Sequence, residues 1–265
     1  MSESKYNLSN AKFGGGFAEG TQTGGSLNDY STNDYSTNNI ADKNSENRDS
    51  SKSNAADVKT ILVLAANPKT TSPLRLDEEV REIDAGLQRA RNRGNSNLES
   101  GLQSGLQFDL QVRWAVRVRD VAQALLDFKP QIVHFCGHGA GDDGLVLEEE
   151  TGKLQLVPTA AIAELFGLFS QKNNHQNQNQ KNIECVILNA CYSQVQATAI
   201  SQHIPYVIGM NKAIGDKAAI EFTVGFYSAL AAGESIDFAY KLGCNSIAIA
   251  GIGENLTPVL KTNLK

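Results

Sequence analysis

The chain has 265 residues, 41% hydrophobic and 20% charged, with a formal net charge of −5. That length holds one large domain or two small ones. A pI near 5.4 and the lack of any basic stripe exclude a nucleic-acid binder, because neutralising phosphates takes clustered Lys and Arg.

Residues 1–56 are rich in Ser, Asn, Asp, Gly and Thr and contain a tandem repeat, Asn28-Asp29-Tyr30-Ser31-Thr32 and Asn33-Asp34-Tyr35-Ser36-Thr37. Too few aliphatic residues occur there to offset chain entropy, so a disordered low-complexity tail is expected. It serves as a linker, or as a docking or self-cleavage segment. The opening does not read as a signal peptide, and no run of about 18 apolar residues marks a membrane-spanning helix. Order begins at 57 and is expected to continue to 265 as one domain. Residues 60–66 form an apolar run of strand length, stopped by Asn67-Pro68. Over 76–93, Leu76, Val80, Ile83 and Leu87 fall on one helix face. A second strand covers 108–116, and a second helix covers 119–128 ahead of Pro130. Residues 131–136 form a third strand that runs into Gly137-His138-Gly139. Residues 145–147 and 154–156 pair as a hairpin around Gly152, with Glu148 to Glu150 on an exposed turn. A helix over 159–169 has Thr159 as its expected N-cap. Then come a strand at 183–190, a helix at 194–203, a strand at 206–210, a helix at 216–232 and the start of another at 235–243. Two polar stretches, 94–107 and 171–182, read as surface insertions. Alternating strands and helices define an α/β domain: a mostly parallel sheet with helices on both faces.

In parallel sheets functional groups gather at the carboxyl ends of strands. His138 follows the third strand, and Cys191 follows the strand ending Val186-Ile187-Leu188-Asn189-Ala190. If those strands are neighbours, both side chains rise over one edge. An imidazole beside a thiol lowers its pKa and later protonates a leaving amine. The backbone N–H groups of Gly139 and Cys191 are candidate donors to an acyl oxyanion, since glycine lets the chain approach closely. The helix after Cys191 adds a dipole that favours anionic sulfur. Cys136, Cys185 and Cys244 read as core, no Cys-x-x-Cys pair exists, and the four cysteines do not form a disulfide framework. A reducing cytoplasm is the expected compartment, where a thiol nucleophile stays usable. His134 points to the opposite face of its strand and reads as buried, His175 as solvated, and His203 as a helix-end residue.

The order strand, His-Gly-x-Gly, strand, Asn-Ala-Cys-Tyr-Ser, with 53 positions from His138 to Cys191, resembles the caspase-like cysteine peptidases. It looks most like their CHAT branch (Caspase HetF Associated with Tprs). The residues carrying this are Ile132-Val133-His134-Phe135-Cys136-Gly137-His138-Gly139, Gly144-Leu145-Val146-Leu147 and Val186-Ile187-Leu188-Asn189-Ala190-Cys191-Tyr192-Ser193. Tyr206-Val207-Ile208-Gly209-Met210 and Phe222-Thr223-Val224-Gly225-Phe226-Tyr227 fit as well. The resemblance implies a caspase-like three-layer sandwich and a bacterial endopeptidase with His138 as general base and acid and Cys191 as nucleophile. It implies protein or peptide substrates, an activating protein partner, a role in stress or defence signalling, and neither metal nor organic cofactor.

Metacaspase-type relatives place an acid two positions before the nucleophile, where it selects a basic P1 side chain; here that position is Asn189. Asp142 and Asp143, just past the His138 loop, are the candidates to replace it. Two other functions are compatible with the residues: a catalytically silent interaction or signalling module, and a flavodoxin-like phosphate binder built on the glycines between 137 and 144.

Overall fold

A computed structural model describes residues 58–96, 107–170 and 182–263. The expected tail at 1–56, most of both polar insertions, and His175 lie outside the described residues. Five parallel strands build the sheet: β1 (Val58–Ala65), β2 (Gln107–Trp114), β3 (Ile132–Cys136), β7 (Cys185–Asn189) and β8 (Tyr206–Met210). A sixth, β9 (Pro258–Thr262), closes it antiparallel to β8, giving the order β2-β1-β3-β7-β8-β9. A second, three-stranded sheet follows β3: β4 (His138–Gly139), β5 (Leu145–Glu148) and β6 (Leu154–Val157), all antiparallel. The helices are α1 (Leu76–Ser96), α2 (Val118–Phe128), α3 (Thr159–Leu168), α4 (Gln194–Ile200), α5 (Asp216–Ala231) and α6 (Ile236–Ile249).

The period of two along each strand sorts side chains into two cores. Leu62, Leu64, Val133, Phe135, Val186 and Leu188 pack on one face with residues of α2, α3 and α4. Ile61, Val63, Ile132, Cys136, Cys185 and Ile187 pack on the other with residues of α1, α5 and α6. Strands buried on both faces read as unbroken apolar runs, which is why they were visible in the sequence. The three-layer arrangement is the expected α/β sandwich. No helix among the described residues is long and apolar enough to cross a membrane.

Three local readings need correction. Pro158, not Thr159, is the residue before α3, and it makes no side-chain cap. Thr159 is the first helical residue, and its hydroxyl accepts from Gln196 Nε2 at 2.7 Å. Glu148 is not on an exposed turn; it is buried, and its Oε1 accepts from the Asn67 N–H at 3.0 Å. Residues 138–139, expected as loop, form a two-residue strand paired with β5.

Helices α5 and α6 meet at two glycines. A Cβ on Gly225 would lie 2.7 Å from the Leu242 carbonyl oxygen and 2.9 Å from the Gly243 Cα. Those are backbone atoms, so the helices would have to separate. Gly225→Ala is expected to destabilise the fold by about 1–3 kcal/mol through overpacking, read as a lower urea midpoint at unchanged m-value.

Candidate active site

Strands β3 and β7 are neighbours, with Cys136 opposite Asn189. The segments leaving their carboxyl ends therefore start side by side, tied by Gly137 N–H to the Asn189 carbonyl at 3.3 Å. His138 and Cys191 each stand two residues beyond their strand. Both line one small cleft of about 40 Å³, together with Asn189, Glu79 and Asp216. Gly139 is what allows the two segments to approach: a Cβ there would collide with the carbonyl oxygen of Cys191.

His138 is oriented by the loop between β1 and α1. Its Nε2 lies 3.0 Å from the Ser72 carbonyl oxygen. A carbonyl only accepts, so Nε2 carries the proton and Nδ1 is the basic nitrogen. The loop is held at both ends. The Asn67 side chain bridges to the backbone of Leu74, with both hydrogen bonds at 3.3 Å. Lys69 N–H donates to the Gly152 carbonyl at 2.9 Å, and Leu154 N–H donates to Thr70 Oγ1 at 3.1 Å. The buried Glu148 seen above anchors Asn67 from β5. Burial is the largest influence on the His138 pKa and lowers it; the Ser72 carbonyl and the Asp216 carboxylate oppose that shift.

Cys191 is half-buried. Its Sγ lies 3.5 Å from the N–H of Ile214 and 3.6 Å from the Ile214 carbonyl. The next residue, Tyr192, has φ +57°, a left-handed backbone that costs an ordinary side chain about 1–2 kcal/mol. Its N–H donates to Lys212 at 3.2 Å. Ser193 then locks the turn, its hydroxyl donating to the Leu188 carbonyl (2.8 Å) and accepting from Met210 N–H (2.9 Å). Two turn residues separate Cys191 from the seven-residue α4, so little of the helix-dipole effect reaches the sulfur, because it decays within a turn.

The remaining sequence candidates fall elsewhere. Asp142 and Asp143 sit exposed on a 3-10 turn, Gly141–Asp143. Asp142 borders a separate, open groove with Tyr192 and Val195, and neither acid lines the cleft. The glycine loop turns its N–H groups inward: Ala140 donates to Gly144, Asp143 to Ala140 and Gly144 to Gly141, at 2.9–3.2 Å. Those three donors are occupied and do not form a phosphate cradle. No three His, Cys, Asp or Glu side chains among the described residues gather as around a metal ion.

Sequence reasoning missed Glu79. It is 4% exposed and lines the cleft from α1. Its Oε1 accepts from His134 Nε2 (2.9 Å), Asn189 Nδ2 (2.5 Å) and the Thr223 hydroxyl (3.1 Å). His134 Nδ1 in turn accepts from the Tyr227 hydroxyl at 3.0 Å, and burial holds that phenol well above its usual pKa, so the donor proton stays. The signal was available: Glu79 falls on the same helix face as Leu76, Val80 and Ile83, where a lone acid needs a buried partner. Ser72 and Asp216 gave no such signal.

This is a three-layer α/β domain that raises a histidine and a cysteine into one cleft at the carboxyl edge of adjacent parallel strands. The profile of the CHAT domain family matches residues 19–241, and the chain belongs to that family. A relative from Gillisia limnaea named "Probable protease" is 24% identical over 198 residues, covering 75% of this chain and 31% of its own. A "Roc-COR-CHAT protease" of an unknown prokaryotic organism is 20% identical over 196 residues, covering 74% of this chain and 17% of its own. The chain thus matches less than a third of the length of either relative. Among solved structures, the Saccharomyces cerevisiae separase–securin complex aligns with a TM-score of 0.39 at 11% identity, covering 77% of this chain and 12% of that one.

Proposed function

We propose that this domain is a cysteine endopeptidase working through a His138/Cys191 dyad. The observation that carries the reading is that both side chains line one cleft while the Ser72 carbonyl fixes the imidazole with Nδ1 as its base. His138 takes the thiol proton as the sulfur attacks the peptide carbonyl, then gives it to the departing amine. Water hydrolyses the thioester, releasing the acid and restoring the thiol. The N–H groups of Gly139 and Cys191 stabilise the oxyanion. The protease names of both relatives support this reading. The protein acts in the cytoplasm as an effector of bacterial stress or defence signalling, on protein substrates and under control of a protein partner. That both relatives extend well beyond the matched segment fits such control.

The narrowness of the cleft favours a second reading, a catalytically silent interaction module. Labelling by peptidyl acyloxymethyl ketones separates the two. A dyad requires labelling of the wild type that disappears in Cys191→Ala and drops sharply in His138→Ala. Labelling that survives in Cys191→Ala, or none with any probe, would sink the peptidase reading.

Gly139→Ala is a second check. Its methyl must push the His138 segment away from Cys191. A displacement of about 1 Å costs roughly a hundredfold in turnover, measured on a fluorogenic peptide while the melting curve shows the fold retained.

A further inference from the structure

One strand sets both ends of the contact that orients the histidine. His138 lies opposite Val146 in the β4–β5 pair. Glu148 is two residues further along β5, so its side chain shares a face with Val146, while Leu145 and Leu147 point into the core. Glu148 reaches the loop between β1 and α1 instead, where its Oε1 accepts from the Asn67 N–H at 3.0 Å. Asn67 in turn holds both backbone polar groups of Leu74 with its side-chain amide. Ser72 stands between those two pinned points, directly before Pro73. A residue before proline is confined to extended backbone, so the direction of the Ser72 carbonyl follows from where the loop is pinned. That carbonyl is the one 3.0 Å from His138 Nε2.

Core packing gives no reason for an acid at this position. Glu148 is 8% exposed and follows Leu145, Val146 and Leu147, all buried. Among the described residues no Lys or Arg pairs with it; Arg117 and Arg119, on the adjoining segment, pair with Asp120 and Glu150. A buried carboxylate without a cation is unfavourable, and an aliphatic side chain would fill the site without that penalty. What the carboxylate does supply is an acceptor for the loop.

We infer that Glu148 is a positioning residue for the dyad: through Asn67 it holds the Ser72 carbonyl against His138 and keeps Nδ1 as the nitrogen available to Cys191. This rests on the dyad reading. Glu148 lies behind the loop and touches no reacting atom. Without it the carbonyl shifts and the imidazole turns, which slows activation of the thiol and leaves substrate affinity alone.

The test is alkylation of the full chain by iodoacetamide, a probe too small to depend on a substrate pocket. It is read at the Cys191 peptide by mass spectrometry, because Cys244 is also half-buried. Wild type, His138→Ala, Glu148→Leu, Glu148→Gln and Asn67→Ala are compared, with kcat and KM on a fluorogenic peptide and melting temperatures measured alongside. Glu148→Leu should slow both Cys191 alkylation and kcat by roughly tenfold or more at unchanged KM, the scale of a displacement of up to about 1 Å. Glu148→Gln keeps an oxygen for the Asn67 N–H and should recover most of both rates. Should Glu148→Leu not fold, Asn67→Ala breaks the same chain one link later: a slowed Cys191 supports the assignment and an unchanged one overturns it. A folded Glu148→Leu alkylated as fast as the wild type, or one whose KM rises at unchanged kcat, overturns it. So does a Glu148→Gln as slow as Glu148→Leu. In each of these cases a slow His138→Ala leaves the dyad standing. Alkylation that His138→Ala does not slow overturns the dyad and this assignment together.

Discussion

Alanine at Cys191 is expected to lower peptide turnover by roughly ten-thousandfold or more, with alanine at His138 costing nearly as much and the double variant little worse than either. Residues that act as one unit are strongly non-additive, because once the nucleophile is gone its base has nothing to activate. Neither side chain holds up the fold: Cys191 is half-buried beside a backbone turn, and His138 bonds to the carbonyl of a loop residue, Ser72. Melting curves of both variants should match the wild type, which separates lost chemistry from lost structure. The pH profile adds an independent check. Burial holds the His138 pKa below the ordinary imidazole value of 6.5, so the base stays neutral into mildly acidic solution. The acid limb of kcat/KM should therefore lie below pH 6.5. The linked stability has the same sign. The unfolded chain binds this proton more readily than the fold does, so His138 costs nothing above pH 6.5 and subtracts stability as pH falls below it. His138→Ala should weaken that acid-side loss, and a kcat/KM limb above 6.5 would contradict the assignment.

Most of the framework was legible because it depends on short-range pattern. Strands β1, β3, β7 and β8 bury both faces, so each is a short apolar block, and the helices between them carry a 3.6-residue stripe. The adjacency of β3 and β7, which sets His138 beside Cys191, follows from the preference of sequential strands to pair. The edge was not legible. Strand β9 opens with Pro258, carries Lys261 and buries only its first residue; its register against β8 defines it, not its composition. The site was legible only in part for a similar reason. His138, Gly139 and Cys191 announce themselves by local motif, whereas Glu79 reaches Asn189 across 110 positions. Asp142 and Asp143, chosen as nearby acids, are near in sequence and turned away in space. Glu148 looked like a turn residue because its neighbours Glu149 and Glu150 are exposed, yet its carboxylate is consumed by the Asn67 N–H that anchors the Ser72 loop.

Glu79→Ala is expected to destabilise the fold by about 2–6 kcal/mol, because each buried donor left without its acceptor carries a desolvation cost of about 1–3 kcal/mol. Glu79 and His134 are 4% and 0% exposed, and the loss would strand His134 Nε2 and the Thr223 hydroxyl and leave Asn189 Nδ2 with only its longer contacts to the Ala219 carbonyl and Thr223 Oγ1, at 3.3 and 3.5 Å. Against a typical total of about 5–15 kcal/mol, that is enough to bring the domain close to unfolding at room temperature. Glu79→Gln retains one oxygen acceptor and should cost less, about 1–3 kcal/mol, so it is the variant to use where a folded protein is needed. Thr223→Val, which removes one donor and leaves the others satisfied, should cost about 1 kcal/mol. Urea unfolding of Glu79→Ala, His134→Phe and the double variant gives the coupling directly. Partners sharing a buried hydrogen bond should show about 0.5–3 kcal/mol of non-additivity, and strict additivity would mean the two side chains do not depend on each other. The network ties α1 and α5 to β3 and β7, the two strands that carry His138 and Cys191. Loosening it should therefore lower turnover before it unfolds the chain, because Asn189 ends β7 two residues before the sulfur.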